Sequence, residues 1–325
     1  MNWVCSDRLD VDRNTDISLT RKILEALQNE GFKAAGIASA VPHPEDTEHI
    51  RAWIAEGRHA GMEFLVRGSE RIGDITSMVS GARSVIMAAI PYRLDDDAGA
   101  GGEYFIARYG RARDYHKVVT RKLKRVAALI AKESPGAVSK VFCDSSSVTE
   151  KEWAVRTGIG WRGKHSIIIN EKLGSFIFLG GIVTTVSLEY NESRAPDRCG
   201  TCRRCIDGCP TGAICSDRTI DARRCLAWMT IESHDDIPEW AGSNIENIIY
   251  GCDRCQEVCP WNSGPAPAPD HEFIPDTDIT AITREQWISM SEEEFAGKFA
   301  ESAIRRAGLD KIRNSIRFVD RQRSR

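Results

Sequence analysis

Cys199-Gly-Thr-Cys202-Arg-Arg-Cys205-Ile-Asp-Gly-Cys209-Pro210 is the stretch that decides the architecture of this chain. Its C-x-x-C-x-x-C-x-x-x-C-P spacing is the bacterial ferredoxin run, in which three thiolates hold one [4Fe–4S] cluster and the fourth reaches across to another. A second run is therefore required. Cys252-x-x-Cys255-x-x-x-Cys259-Pro260 supplies it but is one ligand short, because Ile249 stands where its first cysteine belongs. Of the nearby cysteines outside both runs, Cys215 and Cys225, the latter sits in the more ordered-looking segment, leading into Leu226–Glu232. The expected ligand sets are Cys199, Cys202, Cys205 and Cys259 for one cluster, and Cys209, Cys225, Cys252 and Cys255 for the other. Zinc also takes C-x-x-C pairs, but has no use for the third step or the Cys-Pro endings. Cys5, Cys143 and Cys215 are left over and are expected to be small buried hydrophobes.

Working outward, a change of composition at Ala195-Pro196 starts the cysteine-rich segment, and the connector after Trp261 (NSGPAPAPD) ends it. Upstream, helix-period and strand-like stretches alternate: helices near 18–30, 49–56, 115–132 and 148–157, and strands near 34–40, 84–90, 138–143, 166–169 and 176–186. This predicts an α/β or α+β domain. Asp95–Gly102 reads as a flexible loop, residues 283–319 as weakly helical, and the final Arg-Gln-Arg-Ser-Arg as frayed. The expected organisation is an N-terminal extension (1–17), a catalytic domain (18–194), a ferredoxin-like double-cluster domain (195–262) and a linker with a short helical C-terminal tail (263–325).

With 42 % hydrophobic residues over 325 positions, the chain can bury real cores. Its net charge of −3 excludes a uniformly basic nucleic-acid surface and leaves only local patches for a polyanion. Two segments qualify, Arg108–Arg125 and Arg305–Arg325. No run of eighteen apolar residues and no apolar leader or twin-arginine pair is present, so a cytoplasmic protein without a membrane anchor is expected. There thiols stay reduced, which favours metal ligation over disulfides.

Clusters held by four cysteines ordinarily move single electrons and do no organic chemistry, so the domain in front of them should hold something to reduce. Neither G-x-G-x-x-G nor a Walker A run occurs, which leaves nucleotide chemistry without support. The informative stretch is Val141-Phe-Cys-Asp144-Ser-Ser-Ser, followed by Gly158-Ile-Gly-Trp161-Arg-Gly-Lys164-His165-Ser166. It sets a carboxylate at a strand end before a helix, where α/β folds place their chemistry, although Asp before Ser-Ser-Ser is also an ordinary helix cap.

These segments (CDSSSVTEKEWAVRTGIGWRGKHSIIIN, GSFIFLGGIVTT, CGTCRRCIDGCPTGAI, DARRC, YGCDRCQEVCPWN), together with ARYGRARDYH at 107–116, resemble the epoxyqueuosine reductase family over residues 18–318. The resemblance implies a cobalamin-binding α/β (α+β) domain joined to a ferredoxin-like module carrying two [4Fe–4S] clusters. It also implies reduction of epoxyqueuosine to queuosine at the wobble position of tRNA, with electrons from a donor protein or reductant, by a monomer. The family's proton-donating aspartate matches Asp144, for which burial against corrin and substrate would raise the pKa enough to donate. Arg67, Tyr109, Asp144, Trp161, Lys164, His165, Ser166, Ile168 and Asp253 fall in segments similar to its corrin-facing loops. A cysteine found near the cobalt in some relatives is Ala107 here. Two further readings are a reductive dehalogenase-like cobalamin enzyme and a non-catalytic electron carrier or cobalamin-binding protein, which would need no acid at Asp144.

Overall fold

The computed structural model describes residues 16–94, 102–144, 146–191 and 194–324. Cys5 and the loop expected at 95–102, except Gly102, lie outside them. Among the described residues eight strands occur: β1 (Ala34–Ser39), β2 (Ser84–Pro91), β3 (Phe105–Ile106), β4 (Ser139–Phe142), β5 (Trp161–Arg162), β6 (Ile168–Ile169), β7 (Ile177–Thr184) and β8 (Ile248–Tyr250). The helices that matter here are α1 (Ile17–Asn29), α2 (Pro44–Ala55), α3 (Glu63–Gly68), α4 (Tyr115–Glu133), α5 (Glu150–Arg156), α6 (Leu226–Ile231), α7 (Arg284–Ser289), α8 (Glu292–Lys298) and α9 (Leu309–Arg323).

The main sheet runs β1-β2-β7-β4 with every pair antiparallel, so the mixed α/β expectation resolves to α+β. β2 is buried along its whole length, and its side chains alternate between two cores. Ile86, Ala88 and Ile90 meet Ile23 and Leu27 of α1 and Val119, Leu123 and Val126 of α4, whereas Val85, Met87 and Ala89 face Trp153 and Ala154 of α5. Glycine sets the spacing of these layers. A Cβ on Gly180 of β7 would lie 2.6 Å from Val119 and 2.8 Å from Leu123, and one on Gly36 of β1 would lie 1.9 Å from the Thr157 carbonyl oxygen. Behind α5, Arg156 makes two hydrogen bonds to the buried Asp46 of α2, at 2.7 and 2.8 Å.

A further core joins β3 to the cysteine-rich region and the C-terminus. β3 pairs in parallel with β8, and Tyr104 and Ile106 share one apolar cluster with Leu226, Ile245, Ile248, Phe295, Phe299, Ile312 and Ile316. This pairing holds the double cysteine run against the sheet domain. α7 and α8 start on capping boxes at Thr283 and Ser291. The expected fraying at 321–325 is corrected as far as Arg323: α9 continues to that residue, and Tyr104 Oη donates to Asp320 at 2.8 Å while Arg323 donates to the Glu103 carbonyl. Among the described residues, no helix is long and apolar enough to cross a membrane.

Candidate active site

The cysteines gather as two quartets. Cys199, Cys202, Cys205 and Cys259 line one cavity with Lys164, His165, Ile169 and Trp261. Cys209, Cys225, Cys252 and Cys255 form the other group, each of the last three feeling the charge of others in the set. Cys259 thus lies with three cysteines of the first run, and Cys209 with Cys225 and two cysteines of the second. Short helical turns at Arg204–Asp207 and Arg254–Glu257, which pack on each other, carry Cys205 and Cys255.

Both groups are too open for one ion. Thiolates 2.3 Å from a tetrahedral zinc lie roughly 3.8 Å apart. Among the described residues, the only three ligating side chains with donor atoms all within 4.8 Å are Asp270, His271 and Glu272. Burial raises the thiols, Cys259 to about 11 and Cys252 to about 12, so their ionisation calls for a compensating cation. These observations fit iron–sulfur clusters. His165 Nε2 and Trp161 Nε1 are buried without a hydrogen-bond partner beside the first quartet, donors suited to an acceptor such as cluster sulfide or a corrin amide. Burial pushes His165 down to about 4, and its Nδ1 accepts from the Ile167 N–H. The ring is therefore neutral, with its proton on Nε2.

The remaining cysteines differ. Cys143 is buried as expected, with Sγ 3.4 Å from the Leu179 carbonyl. Cys215 is only half-buried, in a turn near Arg58 and Arg223, which corrects the expectation of a buried hydrophobe.

Asp144 stands at the end of β4 with φ +58°. Its Oδ2 accepts from Tyr115 Oη at 2.8 Å and faces His116 Nε2 at 3.0 Å, both from the start of α4. Its backbone N–H donates to Glu150 Oε1 of α5. Desolvation pushes the carboxyl up, but the His116 and Tyr115 hydrogen bonds outweigh it and hold it below the usual range. With neither corrin nor substrate against it, Asp144 is ionised at neutral pH. The protons sit on its neighbours. Burial opposes ionisation of His116, yet bonds to Asp114 and Asp144 raise it to about 9, and burial lifts Glu150 to about 8. Lys151, next in the chain, is exposed, is drawn down by desolvation, and acts electrostatically on Asp144, His165 and Cys225 alike. Lys151 thus lies within electrostatic reach of both the acid group and Cys225 of the second quartet.

The other expected residues divide. Arg67 is exposed on α3, whose Gly68 abuts Ser147 of the Asp144 loop. Tyr109 is half-buried between Tyr115 and Tyr250, at ring distances of 6.1 and 5.6 Å. Trp161 packs on Trp261 beside Cys259. Lys164 Nζ donates to the carbonyls of Gly200 and Cys202, both at 2.7 Å, which ties its ammonium to the first cysteine loop. Ser166 occupies a turn at φ +62°. Ile168 belongs to the core with Trp153, and Asp253 is buried, accepting from the Arg108 N–H at 2.8 Å. Sequence reasoning missed Asp114, Tyr115, His116, Glu150 and Lys151 as site residues. The Asp-Tyr-His triplet inside ARYGRARDYH was their one visible signal.

Fold and site together define an oxidoreductase, an α+β domain with an acid cluster fed by a two-cluster ferredoxin-like module. Residues 198–262 match the family model described as a 4Fe-4S double cluster binding domain, and residues 73–145 match that described as epoxyqueuosine reductase QueG, DUF1730. The epoxyqueuosine reductase of Cyclobacterium marinum is 34 % identical over 309 residues, covering 94 % of this chain and 98 % of that one. That of Prochlorococcus marinus is 37 % identical over 296 residues, covering 89 % and 93 %. Among solved structures, an epoxyqueuosine reductase with an epoxyqueuosine-modified tRNA-Tyr stem loop aligns with a TM-score of 0.85 at 26 % identity, over 93 % of this chain and 80 % of that one. The Streptococcus thermophilus enzyme gives 0.86, also at 26 % identity, over 95 % and 82 %. The chain belongs to the epoxyqueuosine reductase family. It carries two [4Fe–4S] clusters and reduces epoxyqueuosine in tRNA to queuosine.

Proposed function

We propose that this chain deoxygenates epoxyqueuosine at the tRNA wobble position in a cobalamin-dependent reaction, with Asp144 delivering the proton to the departing oxygen. The observation that carries this reading is the Tyr115–His116–Asp144 group at the end of β4, with Lys151 within electrostatic reach of both Asp144 and Cys225 of the second quartet. The first cluster is assigned to Cys199, Cys202, Cys205 and Cys259. When bound, the clusters and cobalamin supply two electrons, one at a time, from a donor protein or reductant. Arg67, Tyr109, His165 and Ser166 would help to hold the corrin, with the exposed Lys151 as a further contact.

The protein's own part is proton handling. Opening an epoxide leaves an alkoxide, a far stronger base than a carboxylate, so a positioned acid contributes roughly 10²- to 10⁴-fold. Tyr115 Oη and His116 Nε2 fix the Asp144 carboxyl and keep a proton within 3.0 Å of it. The work is assigned to a cytoplasmic monomer. Its tRNA contact falls on the exposed cations of the two basic segments, Lys124 among them, since several others are spent internally.

The test is anaerobic turnover of epoxyqueuosine-containing tRNA by protein with full iron content, with and without cobalamin. Queuosine should form only when cobalamin and reductant are both present. Equal turnover without cobalamin, or none with it, would overturn the proposal.

A further inference from the structure

The line of hydrogen bonds behind Asp144 does not end at His116. Asp114 Oδ1 lies 2.8 Å from His116 Nδ1, and His116 Nε2 lies 3.0 Å from Asp144 Oδ2. An ionised carboxylate only accepts, so a ring with a carboxylate on each nitrogen must donate from both and is an imidazolium. Asp114 is also the N-cap of α4, accepting from the His116 backbone N–H at 3.0 Å, which ties the line to a 19-residue helix. Tyr115 stacks on His116 at 4.0 Å and on Phe178 at 4.4 Å, so both side chains that reach Asp144 are braced. The other charged groups facing this line are Lys117 beside Asp114, and Glu150 and Lys151 across from Asp144.

We propose that Asp114 and His116 are a proton relay that loads Asp144: His116 Nε2 passes its proton to Asp144 Oδ2 when substrate shuts water out, and Asp144 passes it to the departing oxygen. The inference rests on the assignment of Asp144 as the acid. Its logic is that Asp144 is ionised at rest and has nothing to donate. Excluding water raises the cost of two charges against a neutral imidazole and a carboxylic acid, which drives the proton along the existing hydrogen bond. The balance closes. Two electrons from the clusters and two protons convert the epoxide to an alkene and water; the first broken C–O bond leaves an alkoxide that takes the relay's proton, and the second releases the oxygen as water with another. His116, a quarter exposed, is recharged from solvent between transfers.

His116 is a positioning and relay residue, so the test needs a readout that a purely structural role would not move. The measurement is the pH profile of turnover on an epoxyqueuosine-containing stem loop, with ¹⁵N shifts of His116 in the same cluster-loaded protein. Wild type should lose activity on a basic limb as His116 deprotonates near 9, with both ring nitrogens protonated below it. Asp114→Asn keeps the helix cap, since Asn caps about as well as Asp, so it should fold while its limb and its His116 titration move down together by about one pH unit or more. His116→Gln should abolish the limb and lower kcat by roughly 10²-fold, with KM little changed. A wild-type limb and wild-type His116 shifts in Asp114→Asn, or a wild-type kcat in His116→Gln, would overturn the relay while leaving Asp144 standing. Full activity of Asp144→Asn would remove the acid itself, a distinct result.

Discussion

Lys122 sits in the most basic stretch of the chain, yet the fold turns it inward, and replacing it by Met should cost stability and not tRNA affinity. Its ammonium is buried, 2.9 Å from Asp270 Oδ2 and 2.8 Å from the Glu30 carbonyl, with Glu272 Oε1 at 3.9 Å. The Lys122 and Asp270 side chains are only 6 % and 9 % exposed. Removing one partner of such a pair strands the other charge and costs about 3–5 kcal/mol. An unfolding entropy of about 2.1 cal/mol/K per residue over 325 residues gives roughly 0.7 kcal/mol/K, so Tm should fall by about 4–7 °C. The assay is thermal unfolding of cluster-loaded wild type, Lys122→Met and Lys124→Met, paired with stem-loop binding across salt concentrations. Lys124, exposed on the solvent side of the same helix, should show the reverse pattern: unchanged Tm, weaker binding and a salt slope lower by about one. A Lys122→Met protein with wild-type Tm and weakened binding would refute the argument.

Cys259→Ala should lower iron from about eight to about four per chain and spare the cluster signal that Cys209→Ala removes, even though each cysteine lies in the run of the opposite cluster; EPR of the reduced proteins separates the two. Lys164→Met frees the carbonyls of Gly200 and Cys202, so the first cluster should be lost faster under air while corrin binding, followed by absorbance, is unchanged. His116 also makes stability depend on pH. Its folded pKa of about 9 lies above an unfolded value of about 6.5, so its contribution is full below pH 6.5 and vanishes as pH rises through 9. The urea midpoints of wild type and His116→Gln should therefore converge between about pH 6 and about pH 10.

The cysteine spacing made the double-cluster module legible because ligand geometry fixes sequence distance, and the exchange of Cys209 and Cys259 followed from it. Periodicity located α1, α4, β1, β2 and β7, but strand pairing is a long-range property, and nothing local in 84–91 says that it runs antiparallel to 177–184. Charge was legible on α4; its partners were not, because Asp270 and Glu272 arrive from about 150 residues away. For the same reason Asp144 could be proposed as the reacting carboxylate while the partners that hold it ionised at rest could not be named. Those partners, Tyr115 and His116, lie 29 and 28 residues upstream, on a helix that long-range packing, Val119 and Leu123 on Gly180 included, brings to the end of β4.

The central claim is tested most directly by one anaerobic comparison, cobalamin-loaded wild type against Asp144→Asn on epoxyqueuosine-containing tRNA with excess reductant, following nucleosides by mass. Asparagine keeps the shape but has no acid proton. The account predicts complete conversion to queuosine by wild type and a rate lower by roughly 10²- to 10⁴-fold in the variant, with equal iron content and equal corrin binding. Conversion by Asp144→Asn at the wild-type rate would contradict it.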